Sequence, residues 1–414
     1  MEIKAYVGGT PGKDCGGFCK FCYYRSLDYR KLEDLTCGYC PPNQKGCNYC
    51  NQLKDVISDF KPPNNVIMDF NKELIWKNFF GELNYNDLKI NLFSIGDITF
   101  YPHLEELIGK LKGYDLPILL NYTSGKGIKN FKMIENILNL GVDEMNVSIF
   151  SCNPDLRRKW MGDKSPEMSF KAFEIFSQNI DVNASSVVIP GVTDLEDLYS
   201  TGNILEEWGV KTFHLLRFGN FQNQGNIFNN RPIIDNIIPH SFEEFQEIVR
   251  AIHKEFNFTV IGIPTFYPEN DIPYILSNNK YSSYLKFLPE ITSKATIITS
   301  KLSKKYLKKI FSKIDTNGLV NIISVDKELG DLIRPEDLSS INLDDLKNKV
   351  IIPGNALMRD DEAEKLLNKD GKLKRIIRGP YALTPVNEEN TIIKERAINF
   401  ELNAFTNLIN IINS

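Results

Sequence analysis

The chain has 414 residues, 42% of them hydrophobic and 25% charged, with 53 acidic against 49 basic side chains and a formal net charge of −4. That length can bury the core of one large domain plus an appended one, and the slight acidic excess leaves no global basic footprint, which disfavours nucleic acid as a partner. No apolar run approaches the ~20 residues of a spanning helix and no signal peptide opens the chain, so a cytoplasmic protein with no membrane partner is expected.

From residue 1 to about 220, short β-rich runs alternate with amphipathic segments. Strands are expected at Glu2–Gly8, Ile90–Ile95, Ile118–Tyr122, Glu144–Phe150, Val182–Ile189 and Thr212–Arg217. Helical patterns lie between them at Asn71–Phe80, Leu104–Leu111, Phe131–Leu140, Ser169–Gln178 and Ile204–Trp208. This alternation implies an α/β fold with a parallel sheet, and six repeats suggest a partial (β/α)6 barrel. An Asn- and Pro-dense linker, Phe221–His240, precedes a helix at Ser241–Phe256, a strand at Phe258–Ile263 and a Pro-rich loop at Pro264–Pro273. From about residue 290 the texture changes, with strand and helix signals over 295–325 and 349–352. The expected division is a cysteine-rich metal loop over 1–55, the barrel over 56–235, a connecting region over 236–290 and an α+β module over 291–414.

Seven of the eight cysteines fall within the first 50 residues, which fits metal ligation better than scattered disulfides. Cys15, Cys19 and Cys22 are spaced C-x3-C-x2-C in a glycine-rich loop directly after the first strand, on the rim where α/β barrels put their chemistry. Three thiolates at that spacing can hold three irons of a 4Fe-4S cluster and leave the fourth free to bind something other than protein. A zinc knuckle or spare buried cysteines are the plainer readings, but a knuckle needs a fourth ligand in phase. Farther along, Cys37-x2-Cys40-x6-Cys47-x2-Cys50 forms two knuckles. These point to a closed mononuclear Fe or Zn site bracing a loop that lacks the apolar residues to fold alone, with a second iron–sulfur cluster as the alternative. Cys152 reads as a small buried hydrophobe.

The other rim loops add weaker signals. Gly96 beside Asp97 would let a ligand's ammonium approach backbone carbonyls closely. Ser148 could meet a ribose, and Arg157 a carboxylate. Ile189 and Gly191 form an apolar edge suited to an adenine face, and Arg217 ends the sixth strand. Each alone is an ordinary βα turn. Beside the cysteine loop they favour S-adenosyl-L-methionine (SAM).

On Cys15, Cys19 and Cys22, the Gly96–Asp97 turn and the loops at Ser148, Gly191 and Arg217, residues 1 to about 230 resemble the radical SAM superfamily. The resemblance implies that the methionine end of SAM chelates the open iron and that one electron cleaves it to a 5′-deoxyadenosyl radical. The usual Gly-Gly-Glu-Pro turn here reads Ile95–Gly96–Asp97–Ile98, so the cysteine loop carries more of the likeness.

A narrower likeness rests on Cys22–Tyr23–Tyr24, the four-cysteine site, Asn121–Tyr122–Thr123–Ser124–Gly125–Lys126–Gly127, Arg157–Asp163, Ile189–Asp194 and Arg378–Gly379–Pro380. These resemble the methanogenesis marker protein ten family, cobalamin-dependent radical SAM methyltransferases of methanogens. That resemblance implies C-methylation of an arginine sp3 carbon in the methyl-coenzyme M reductase α subunit, with one SAM as methyl donor through methylcobalamin and one as radical source. It also implies an electron donor as partner and a C-terminal module that encloses cobalamin. The four histidines include none in an Asp-x-His-x-x-Gly setting, so cobalt would have no histidine beneath it. Tyr23 would cap the open iron between steps, with loop packing as the alternative. Tyr122 is similar to the family tyrosine near cobalt. Asp163 would clamp the substrate guanidinium, against a solvated loop aspartate, and Leu329 would cover the lower face of cobalt, against an ordinary core leucine.

Two other classes compete. A radical SAM peptide maturase with auxiliary clusters is disfavoured by the lack of cysteines after Cys152. A zinc-ribbon RNA-binding protein would use Lys126, Lys129, Lys301, Lys304, Lys305, Lys308 and Lys309 as a basic face, which the acidic balance disfavours.

Overall fold

The computed structural model describes residues 1–26, 58–81, 83, 85, 88–220, 232–269, 273–356, 358–383 and 394–414. Cys37, Cys40, Cys47 and Cys50, and with them the expected four-cysteine metal site, lie outside the described residues, as does the linker over 221–231. The described residues group into two compact units, one drawn from Met1–Tyr29, Lys54–Phe218 and Ile233–Gly262, the other built around Ile263–Ser414.

The first unit follows the alternating pattern. Strands β1 (Glu2–Tyr6), β2 (Lys89–Phe93), β3 (Ile118–Thr123), β4 (Glu144–Ser148), β5 (Asp181–Val188), β6 (Thr212–Arg217) and β7 (Thr259–Ile263) lie side by side in chain order in one sheet. Every pair whose register is defined is parallel, for example Ile3 opposite Ile90 and Ser185 opposite His214. Helical crossovers make this pairing possible: α1 (Pro63–Phe79), α2 (Leu104–Leu111), α3 (Phe131–Asn139), α4 (Pro166–Ser177), α5 (Leu195–Trp208) and α6 (Phe242–Glu255). In α2 the buried residues Leu104, Leu107, Ile108 and Leu111 repeat at helical spacing, and Glu105 and Glu106 complement the positive end of the helix dipole.

The sheet has seven strands rather than the expected six. β7, assigned from sequence to a connecting region, pairs beside β6, and Thr259 N donates to Lys211 O at 3.1 Å. The reason lies in α6. Ser241 and Glu244 close a capping box at its start, and Phe242, Phe245, Ile248, Val249 and Ile252 are buried, so this strand–helix unit packs like those before it.

Burial alternates along β5: Val182, Ala184, Ser186 and Val188 are buried, whereas Asn183, Ser185 and Val187 are half-buried. The half-buried row belongs to a polar ladder across the sheet. Asn183 donates to Glu144 (2.7 Å) and Asn146 (3.0 Å), Asn146 donates to Asn121 (3.1 Å), and Lys89 donates to Glu144 (2.7 Å).

The second unit is α/β, not the α+β module expected. Strands β8 (Ala295–Thr299), β9 (Val320–Ser324), β10 (Lys349–Ile352) and β11 (Arg375–Arg378) form a sheet in the order β11-β10-β8-β9, and all three pairs are parallel. The crossover helix α7 (Lys301–Ile314) between β8 and β9 makes that pairing possible, and α8 (Asp360–Leu367) does the same between β10 and β11. Every residue of β8 is buried, as a central parallel strand requires. The long α9 (Lys394–Asn413) closes the chain, with Ala404, Phe405, Leu408, Ile409 and Ile412 buried. Among the described residues no helix is long and apolar enough to cross a membrane.

Candidate active site

Cys15, Cys19 and Cys22 sit in the loop that leaves β1, and all three are free thiols, half-buried. The backbone of this loop must turn where only glycine is comfortable. Gly12 has φ +81°, and a Cβ there would meet the Phe18 ring at 2.4 Å. The loop offers amides to its own sulfurs: Gly12 N donates to Cys15 Sγ at 3.1 Å, and the Tyr24 and Arg25 amides donate to Cys22 Sγ. Burial raises all three thiols, Cys22 to about 12, while Lys126 pulls Cys15 and Cys19 back. Among the described residues no three His, Cys, Asp or Glu side chains converge tightly enough for a single metal ion. A four-iron cluster asks for a wider set, one thiolate per corner. Three thiols that feel one another's charge, with amide donors to the sulfurs, fit that requirement.

The loop is docked at several points. Phe21, between two of the cysteines, is buried and stacks on Phe150 with ring centroids 4.8 Å apart, in a cluster with Trp160, Met161, Ile189 and Phe218. Phe150 holds φ 60°, unusual for a bulky residue; its N–H donates to Ser185 O at 3.0 Å, and Ser186 Oγ donates to its carbonyl. Lys20 N donates to Trp160 O at 2.7 Å, and the Cys19 thiol faces Met161 O at 3.8 Å. Lys126 Nζ donates to Gly17 O at 2.9 Å and to Met161 O at 3.1 Å.

The Gly96–Asp97 turn does serve a close approach, and it is the cysteine loop that approaches. A Cβ on Gly96 would fall 2.5 Å from Asp14 O, and Asp97 N donates to that same carbonyl at 3.0 Å. The buried Asp97 carboxylate accepts from Thr99 N (3.0 Å) and Oγ1 (2.6 Å) on one oxygen, and from Ser124 N (2.8 Å) and Oγ (2.6 Å) on the other. It thereby ties the loop after β2 to the loop after β3.

The sequence makes Arg157 a candidate contact for a ligand carboxylate and Asp163 a candidate clamp for a substrate guanidinium. The structure pairs them with each other. Arg157 Nε and Nη2 donate to Asp163 Oδ2, Nη1 donates to the Ser148 and Ile149 carbonyls, and Nη2 donates also to Ser124 O. Asp163 accepts further from Ser169 Oγ (2.9 Å) and Ser165 N (3.0 Å). The pair joins the ends of β3 and β4.

Tyr122 is 38% exposed as a residue, but its hydroxyl is enclosed and hydrogen-bonds the Ser148 side chain; that enclosure and then the Cys19 sulfur push the hydroxyl well up. Tyr23 opens a short 3-10 turn after Cys22 and is half-buried. The neighbouring phenol of Tyr24 is raised by burial and then by Cys22. Ile189 is buried in the Phe21 cluster. Gly191 has φ +72° in the turn after β5, with open space where a Cβ would be. Arg217 Nε donates to His240 O at 2.8 Å, within the same unit. Leu329, in the second unit, is half-buried before a short 3-10 turn. Lys126 and Asp14 are the contacts that sequence reasoning assigned elsewhere or passed over. The signal for Lys126 was available in its two flanking glycines at a strand's carboxyl end.

Residues 10–201 match the family model of the Radical SAM superfamily. No curated protein matches the chain. Among solved structures, the chain is similar to Streptococcus suis SuiB bound to S-adenosylmethionine, with 13% identity over 67% of this chain and 55% of that one and a TM-score of 0.41. It is similar also to the radical S-adenosylmethionine methyltransferase TsrM from Kitasatospora setae (10%, 52% and 35%, 0.33) and to a radical SAM methyltransferase from Sphaerobacter thermophilus (15%, 52% and 62%, 0.37). The chain spans less than two thirds of each of these three proteins, and likeness at this level says nothing about activity.

Proposed function

We propose that this chain, whose residues 10–201 match the Radical SAM superfamily model, is a SAM-cleaving enzyme with its cluster on Cys15, Cys19 and Cys22, and that it C-methylates an arginine sp3 carbon of a protein substrate. The observation that carries the first part is the docked cysteine loop. Three free thiols are presented on a loop whose base is pinned by Asp97 and whose middle is buried through Phe21. When bound, a four-iron cluster there supplies the electron that cleaves SAM to a 5′-deoxyadenosyl radical. The protein's share is geometric. Gly96 lets the loop seat on the strand ends, the Arg157–Asp163 pair fixes two neighbouring rim loops, and the hydrophobic cluster around Phe21 keeps water from one side.

The finer reading rests on the sequence likeness to the methanogenesis marker protein ten family: an arginine of the methyl-coenzyme M reductase α subunit as target, cobalamin as methyl carrier, and an electron donor as partner. An sp3 carbon beside a guanidinium is neither acidic nor nucleophilic, so polar methyl transfer does not reach it, and a radical does. The cavity inside the second unit, lined by Ile297, Thr299, Ser303, Gly330, Pro353 and Gly379, measures about 30 Å³, room for one water. A corrin does not fit in that space.

The test is anaerobic incubation of the reconstituted protein with SAM, a strong reductant, cobalamin and an arginine-bearing peptide of the reductase. A mass gain of one methyl group on the arginine together with 5′-deoxyadenosine supports the reading. Methylation without deoxyadenosine removes the radical step, and deoxyadenosine without methylation removes the methyltransferase.

A further inference from the structure

The geometry points to Lys126 as a positioning residue for the cluster, its ammonium strapping the cysteine loop to the strand-β4 loop and placing a positive charge that makes the reduced cluster easier to reach. This rests on the reading that Cys15, Cys19 and Cys22 hold a four-iron cluster.

Lys126 is the third residue of the loop after β3, which is fixed on both sides of it. Ser124 before it is held by the Asp97 carboxylate, and a Cβ on Gly127 after it would fall 2.3 Å from Thr99 Oγ1. The ammonium therefore leaves a rigid base. It reaches two carbonyls from different loops: Gly17, between Cys15 and Cys19, and Met161, which also faces the Cys19 thiol. One cation so bridges the loop that bears the sulfurs and the turn on which that loop rests.

Among the described residues Lys126 is in no ion pair, in contrast to its neighbour Arg157. The Arg157 guanidinium is neutralised at contact distance by Asp163. Among the described residues the hydrogen-bond acceptors of Lys126 are neutral carbonyls. The two carbonyls it binds stand against the sulfurs, Gly17 O at 3.6 Å from Cys15 Sγ and Met161 O at 3.8 Å from Cys19 Sγ, so its charge lies close to both. Reduction by one electron makes a cluster with its thiolates one charge more negative. A fixed cation beside it lowers the energy of that state and moves the potential upward.

Four proteins separate the possibilities: wild type, Lys126→Arg, Lys126→Met and Lys126→Gln, each reconstituted anaerobically. Iron per chain and the midpoint potential of the one-electron couple, read from the EPR signal of the reduced cluster, are measured for each. The wild type and K126R are expected to share one potential, because both keep the charge. K126M and K126Q are expected to lie at more negative potential, K126Q even though its amide can still donate to a carbonyl. Unchanged potentials in whichever neutral variant loads its cluster would overturn the assignment. A shift in K126R as large as that in K126M would do the same. Neutral variants that both fail to load while K126R loads as wild type support the strap. K126R failing with them overturns it. A wild type that forms no four-iron signal removes the cluster reading itself, a result distinct from any of these.

Discussion

The Arg157 guanidinium and the Asp163 carboxylate meet through two hydrogen bonds, of 2.7 and 3.1 Å, with their side chains 0% and 2% exposed. They stand only six positions apart, across the turn that follows Leu156, and the remaining guanidinium donors reach the carbonyls of Ser124, Ser148 and Ile149. The pair is therefore a joint between two rim loops.

Removing one partner of such a pair leaves the other charge buried and unmatched, at a cost of roughly 3–5 kcal/mol. Arg157→Met and Asp163→Leu should each lower the unfolding free energy by that order. The double variant Arg157→Met with Asp163→Leu should be less harmful than the sum, because no charge remains buried. A double-mutant cycle by denaturant unfolding measures the coupling, and strictly additive losses would contradict the joint.

Gly96 tests the seat of the cysteine loop. Gly96→Ala places a methyl carbon 2.5 Å from the Asp14 carbonyl, a backbone atom that cannot swing aside. The expected outcome is a protein with unchanged far-ultraviolet circular dichroism and a clear fall in iron bound after reconstitution. Full iron loading would show that the loop does not depend on this contact.

Phe21 tests the other end of the same loop. Its side chain is 8% exposed and stacks on Phe150. Phe21→Ala should cost roughly 3–5 kcal/mol if the cluster cannot collapse around the gap, and Phe21→Leu much less. Limited proteolysis within residues 12–26 should accelerate in the alanine variant. Equal protection in both variants would contradict the anchoring role.

Glu401 gives a pH signature in the second unit. Burial raises its carboxyl from 4.5 to about 7, although the N–H groups of Ile275 and Leu276 donate to it at 2.7 and 2.9 Å. The folded state thus holds this proton more tightly than the unfolded chain. The stabilisation is complete below pH 4.5 and is lost as pH rises toward 7, a difference of about 3 kcal/mol. Glu401→Gln should flatten that slope in thermal unfolding across this window. Parallel curves for the two proteins would contradict the assignment.

Much of the fold was legible because its signals are local. The apolar spacing of Leu104, Leu107, Ile108 and Leu111 marks α2 at its observed bounds, and the β-branched and aromatic run over Thr212–Arg217 does so for β6. β7 is legible as a strand but its place in the sheet is not, since pairing across an Asn- and Pro-rich stretch leaves no local trace. β11, four residues with two arginines, gave too short a run to notice. The cysteine spacing marks a candidate site in the sequence alone. The roles of Asp97, Arg157 and Asp163 did not follow, because a charged residue reads as a ligand contact until its partner within the chain is known. Asp97 is spent on Thr99 and Ser124, and Arg157 on Asp163.

The most direct measurement is 5′-deoxyadenosine released from SAM by the anaerobically reconstituted, reduced protein, compared with a variant in which Cys15, Cys19 and Cys22 are all alanine. The account predicts deoxyadenosine from the wild type and none above background from the variant. Equal release from both, or none from an iron-loaded wild type, would contradict it.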